Sequence, residues 1–135
     1  MTSQLFNVYK TAIVDEVGIS DRVSRLNTRS IKHDSKLSAL SLALSMIDLT
    51  TLEGMDTEGK VRQLCTKAKN LYHENCNLPT VAAVCVYPTM VRIAKKELTG
   101  SPINVASVAM GFPSGQTDYN TRLEEVQFAI QEGAD

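Results

Sequence analysis

The sequence predicts an α/β fold in which two leading helices precede three strand–helix units on a parallel sheet. Three observations predict it. Apolar residues recur at helical spacing in five stretches of the chain. Thr80-Val81-Ala82-Ala83-Val84-Cys85-Val86-Tyr87 is apolar at odd and even positions alike, the pattern of a strand covered on both faces. Strand-like and helix-like stretches then alternate, which is the order of βαβ units.

The first helix is read from Leu5, Val8, Ala12, Ile13 and Val17, with Gly18 just past its end. Ser20 to Lys36, rich in Ser, Arg, Asn and Lys, reads as a linker with a short helical piece near Asp21 to Leu26. Asp34 or Ser35 can cap a second helix carrying Leu37, Leu40, Ala43 and Leu44. Ser45-Met46-Ile47-Asp48-Leu49 is a short apolar run, read as a buried strand that Thr50-Thr51 leads out of. Thr57 can cap the next helix, whose apolar face is Val61, Leu64, Cys65 and Ala68. Residues 70–79 form a loop before the Thr80–Tyr87 strand.

Pro88 suits the first turn of a helix carrying Met90, Val91, Ala94 and Leu98, and Gly100 closes it. Pro102 to Met110 is the third strand. Gly111-Phe112-Pro113-Ser114-Gly115-Gln116 is a loop, and Thr117 or Asp118 caps a last helix. Leu123, Val126, Ala129 and Ile130 are expected to face inward on that helix, with Gly133 ending it. Two architectures remain open on these grounds: an open doubly wound sheet, or part of a (β/α)8 barrel. Three βα units cannot close a barrel of eight, and a whole barrel takes about 250 residues.

Bulk properties exclude several function classes. The chain has 135 residues, enough for a core, and 43% of them are apolar, so it is not a disordered chain. Net charge is −1 and the pI is near 6.1, which argues against nucleic acid as a partner. No apolar run approaches the roughly 20 residues of a membrane helix. Met1-Thr2-Ser3-Gln4 lacks the basic start of a secretory signal, so a cytoplasmic protein is expected. Three cysteines, Cys65, Cys76 and Cys85, do not make a disulfide framework. His73-Glu74-Asn75-Cys76 resembles half of a zinc site without a second half, so no metal is expected.

Few residues carry chemistry. Asp48 sits where the first strand ends, the rim at which functional residues of βα folds gather, and a charge there is costly unless it is paired or belongs to a site. Read against that, it is equally a loop cap. Thr50 and Thr51 follow on the same rim and read in isolation as turn residues. Cys85 reads as a buried small hydrophobe, since no local cation lowers its pKa. Gly111 to Gly115 precedes a helix N-terminus, a place that can hold a phosphate, but it is neither a dinucleotide-binding nor a Walker motif. Lys60, Lys67, Lys69, Lys95 and Lys96 belong on solvated helix faces. A Schiff-base lysine needs a buried site that lowers its pKa, and none of these occupies one. His33 and His73 lie in polar surroundings. No complete catalytic set is present.

Four blocks in order resemble one family. They are Ser45-Met46-Ile47-Asp48-Leu49-Thr50-Thr51-Leu52; Leu64-Cys65-Thr66-Lys67-Ala68-Lys69; Thr80 to Pro88; and Val105 to Thr117 with Arg122 to Val126 and Glu132-Gly133-Ala134. From about Met46 onward the chain resembles deoxyribose-phosphate aldolases, in wording closest to the animal branch. The resemblance implies the first three βα units of a TIM (β/α)8 barrel, preceded by N-terminal helices and with the barrel incomplete. It divides the chain into a helical extension and linker over 1–35 and a partial barrel domain over 36–135.

The activity implied is reversible cleavage of 2-deoxy-D-ribose 5-phosphate to D-glyceraldehyde 3-phosphate and acetaldehyde through a lysine Schiff base, with no metal and no cofactor. The family's imine-forming lysine, its assisting lysine and its aspartate all match positions beyond Asp135, so the chain alone is expected to be inactive. What carries over is an active-centre rim. Asp48 matches an aspartate of its polar network, Thr50 a threonine near the substrate, and Cys85 a cysteine close to the Schiff-base lysine.

The implied partner is a small phosphorylated sugar. A homo-oligomer through exposed sheet edges is the alternative non-catalytic role, motivated by Val84 and Val108 as barrel-facing residues without cover. A complete small phosphate-binding domain using Gly111 to Gly115 is a third reading.

Overall fold

The computed structural model describes residues 14–72 and 77–135 of the chain. The predicted helix face from Leu5 to Ile13, and the His73–Cys76 pair, lie outside the described residues. The described residues divide into two compact units, with the boundary between Lys36 and Leu37.

The first unit contains helix α1, Glu16–Asn27. This corrects the expectation that Gly18 ends a helix and that Ser20 to Lys36 is mainly linker. Asp15 is the N-cap, and its carboxylate accepts from the Gly18 amide at 2.9 Å. A Cβ at position 18 would lie 2.3 Å from that carboxylate, so glycine serves the cap here rather than a stop. Helix α2, His33–Leu44, starts before the unit boundary and runs across it.

The second unit holds a three-stranded parallel sheet in the order β1 (Asp48–Thr50), β2 (Ala83–Val86), β3 (Asn104–Ser107). Helix α3, Glu58–Lys69, links β1 to β2. A 3₁₀ turn at Pro88–Met90 leads into α4, Val91–Glu97, which precedes β3. Helix α5, Tyr119–Glu132, follows β3. Three of the caps are those the sequence offers, whereas α2 starts at His33 and takes Asp34 into its first turn instead of being capped by it. Thr57 Oγ1 accepts from Lys60 N, Asp118 accepts from Asn120 N and Thr121 N, and Gly133 takes the left-handed conformation at φ 106°.

The core lies between the sheet and its helices. Val84 and Val86 of β2 and Val105 of β3 pack with Val61, Cys65 and Ala68 of α3 and Val91 and Ala94 of α4. Val61, Val84, Val86 and Val91 have no exposed surface at all. Burying each such side chain contributes about 1.5–3 kcal/mol. Both crossover helices therefore cover the same face of the sheet, and they touch each other. Arg62 of α3 pairs with Glu97 of α4, and Lys69 Nζ donates to Glu97 O at 2.7 Å. A doubly wound sheet places helices on both faces, whereas a barrel places them on one. With strands in sequential order as well, the arrangement is that of consecutive βα units of a (β/α)8 barrel, here as an open sheet.

This placement corrects the reading of Val84 as barrel-facing: it points into the helix-covered core. Helix α5 also turns differently from expectation. Ala129 is buried and Val126 half-buried, but Leu123 is 38% and Ile130 63% exposed. The inward side instead includes Arg122 and Glu125, because the Glu125 carboxylate accepts from the Gly111 amide at 2.7 Å. That bond fixes the rotation of the helix.

Candidate active-site rim

Parallel pairing puts residues of the three strands into rows. Asp48, Ala83 and Asn104 share one level, Leu49, Val84 and Val105 the next, and Thr50, Cys85 and Ala106 the third. Side chains alternate across a strand. The middle row faces the helices, so Asp48, Thr50 and Cys85 share the opposite face, the one a barrel would enclose. The sequence reading of Asp48 as the end of a buried strand is corrected here. It opens β1, it is exposed, and Met46 and Ile47 before it are 70% and 45% exposed. The residue at the C-terminal end of β1 is Thr50.

The three carried-over residues influence one another. The Cys85 thiol is pushed up from its ordinary pKa by burial first, and by the negative charge of Asp48 second. The Thr50 side chain pulls it partly back. Cys85 is thus a neutral thiol near pH 7, not an activated nucleophile.

One step beyond β1 lies a network the sequence reading missed. Thr51 is buried, continues the ladder through its amide to Cys85 O at 3.1 Å, and donates its hydroxyl to Asp56 Oδ1 at 2.8 Å. Asp56 Oδ2 accepts from the Glu53 amide at 3.0 Å. Lys60 Nζ closes the loop onto Asp56 at 2.8 Å and Glu53 at 2.6 Å. Lys60 holds the Asp56 carboxyl below its ordinary range. Asp56 and then Glu53 raise the Lys60 ammonium above its own. The acid-then-base spacing of Asp56 and Lys60, four residues apart across a helix start, was the available signal.

Thr50, Thr51 and Lys60 line a cavity of about 620 Å³ beside β1, together with Gln63 and Lys67 of α3. Lys60 shares this cavity with Thr50, and its raised pKa is the reverse of what imine formation needs. The other described lysines also lie on helices, apart from Lys32 in the segment before α2. Among the described residues no three His, Cys, Asp or Glu side chains come together as a metal site. No described helix is long and apolar enough to cross a membrane.

The Gly111–Gly115 loop caps β3. Gly111 and Gly115 have φ of 72° and 66°, and a Cβ at Gly111 would sit 2.8 Å from Thr117 Oγ1. Its amide is already held by Glu125, whose charge opposes a phosphate there. Phe112 packs edge-on against Tyr87 at the end of β2, with ring centroids 6.4 Å apart.

No family model matches the chain. Curated relatives similar to it include the following two. Human deoxyribose-phosphate aldolase is 46% identical over 116 residues, covering 78% of this chain and 36% of the relative. The mouse enzyme is 42% identical over 132 residues, covering 90% and 42%. The chain therefore spans roughly two-fifths or less of the length of these relatives. Among solved structures, a putative deoxyribose-phosphate aldolase from Coccidioides immitis matches with a TM-score of 0.59 at 30% identity, covering 70% of this chain and 34% of that one. The tetrameric deoxyribose phosphate aldolase from Aeropyrum pernix matches with a TM-score of 0.58 at 26% identity, covering 70% and 36%. With this identity over most of its length, and with consecutive βα units in the same arrangement, the chain belongs to the deoxyribose-phosphate aldolase family and corresponds to an N-terminal part of its TIM barrel.

Proposed function

We propose that these residues form the first three βα units of a cytoplasmic class I aldolase barrel acting on 2-deoxy-D-ribose 5-phosphate. In that reaction a lysine amine adds to the sugar's aldehyde carbon and expels water to give an imine. The carbon–carbon bond then breaks as the C3 hydroxyl loses its proton, releasing D-glyceraldehyde 3-phosphate and leaving an enamine whose carbon takes up a proton to become an imine again. Hydrolysis of the remaining imine releases acetaldehyde. In this reading Asp48 belongs to the polar network of the rim, Thr50 lies beside the substrate, and Cys85 stands close to the imine-forming lysine. None of the described lysines is that lysine, and these residues alone do not turn over substrate.

The observation that carries the proposal is the placement of Asp48, Thr50 and Cys85 on one face of the sheet, opposite the helix-packed core. A supporting one is the ion pairing that keeps Lys60 protonated. Borohydride reduction in the presence of deoxyribose 5-phosphate, read by mass, tests it. No adduct on the chain is expected. An adduct on Lys60 or any other described lysine overturns the assignment of the chemistry.

A second, non-catalytic role is favoured by one observation. The barrel-side face is open, with Thr50 and Asn104 exposed and Cys85, Ala106 and Val108 half-buried. Self-association through the edge of β1 would extend the sheet and curve more of it around that face. Sedimentation showing a monomer across a wide concentration range would exclude that role.

A further inference from the structure

The rim, the core and the rim loops leave one charged cluster without a role. Arg22 and Arg25 of α1 and Arg29 just beyond its end line, with Leu26, a cavity of about 350 Å³. The chain carries a net charge of −1, yet residues 20–36 hold five basic against two acidic residues. Among the described residues none of the three arginines makes an ion pair within 4.0 Å. Asp21 is placed four residues before Arg25 to form such a pair. Instead Arg25 Nε donates to the Asp21 backbone carbonyl at 3.4 Å.

Two bland accounts fall short. Basic residues in the last turn of a helix offset its dipole, which explains Arg25. They do not explain Arg22, a turn earlier and converging on the same space. A solvated charge run spreads its side chains apart to lower their repulsion, whereas these three line one open cavity together with Leu26. Residues three and four apart share a helix face, so the spacing 22, 25, 29 is what brings them together.

We propose that this cavity is an anion site for a small phosphate monoester. Guanidinium groups offer paired N–H donors that match phosphate oxygens, which an ammonium does not. The bond from Arg25 to Asp21 O restrains one fork in advance. Leu26 supplies an apolar wall for the carbon skeleton of the ester. All three arginines are exposed, so the affinity is modest and falls with salt.

The test uses the full isotope-labelled chain at fixed ionic strength. Glycerol 3-phosphate is titrated while backbone amides are followed by NMR, with inorganic phosphate and chloride in parallel. The expected result is saturable shifts confined to about residues 21–30, with glycerol 3-phosphate tighter than inorganic phosphate. Arg25→Gln weakens binding by about tenfold or more, as loss of a charged hydrogen bond requires. Arg25→Lys keeps part of it. Arg29→Gln, which lies beyond the helix, repeats the loss without altering α1. Shifts that grow linearly, that chloride reproduces, or that persist in Arg29→Gln overturn the proposal. Binding seen only with anionic lipid vesicles and not with the free ester also overturns it.

Discussion

Thr50 and Cys85 face each other across the parallel register of β1 and β2, and the Thr50 side chain draws the Cys85 thiol pKa down. Asp48, on the same face and two residues earlier, acts on that thiol in the opposite sense. The two neighbours can therefore be separated by substitution. Thr50→Val removes the hydroxyl that favours the thiolate and moves the thiol pKa higher. Asp48→Asn removes the repelling charge and moves it lower. The rate of Cys85 alkylation against pH, read on its own peptide by mass spectrometry, reports both. Equal profiles in all three proteins would mean that the residues do not form one rim.

The packing of α5 gives a second expectation. Val84 has no exposed surface between the sheet and helices α3 and α4, so Val84→Ala leaves a cavity and costs about 2–3 kcal/mol. Ile130 is 63% exposed, so Ile130→Ala stays within about 0.5 kcal/mol of the parent. Urea denaturation of the two variants measures the difference. A large loss in Ile130→Ala would restore the inward face that the apolar spacing suggested.

That contrast shows what the sequence made legible. Caps depend on a side chain and an amide a few residues apart, and Thr57, Asp118 and Gly133 were all readable. The strand at 83–86 was readable because both its faces are apolar. Three features were not. The helix face of α5 is set by the bond between Glu125 and Gly111, fourteen residues apart, which no periodicity records. Gly18 looked like a helix end because its tight contact with Asp15 arises only in the folded cap. β1 is three residues long, too short for alternation to fix which residue starts it. The rim residues were found by resemblance to a family. Their common face follows only from the register of β1 on β2.

The network at Asp56 sets a pH dependence. Lys60 holds the Asp56 carboxyl below its ordinary value, so the folded state favours the ionised form. The resulting stability is complete above the unfolded pKa of about 3.9 and is lost as pH falls through the lower folded value. Asp56→Asn abolishes this contribution. Its urea midpoint should lie below that of the parent near neutrality, and the two should converge as acid protonates the parent. A constant gap down to about pH 2 would assign the loss to packing rather than to the ion pair.

Asp135 offers the last test. Its amide donates to Val105 O at 2.9 Å, and its carboxylate accepts from Val105 N at 2.9 Å. Neighbouring Asn104 donates its amide to Ala82 O, on the β2 side, so Val105 presents its polar groups to the outer edge of β3. Asp135 thus satisfies both backbone groups of an edge residue that is itself buried. Lys95 Nζ holds the other carboxylate oxygen at 2.5 Å and keeps the carboxyl below its ordinary pKa. Asp135→Ala leaves the Val105 amide without an acceptor in a nearly dry position, a cost of about 1–3 kcal/mol. Hydrogen exchange at Val105 should accelerate sharply, while Val84 on the central strand keeps its protection. Asp135→Asn retains a carbonyl oxygen for the amide but not the charge for Lys95, so exchange should rise less. Equal protection in Asp135→Ala and the parent would mean that the β3 edge is closed by something other than Asp135.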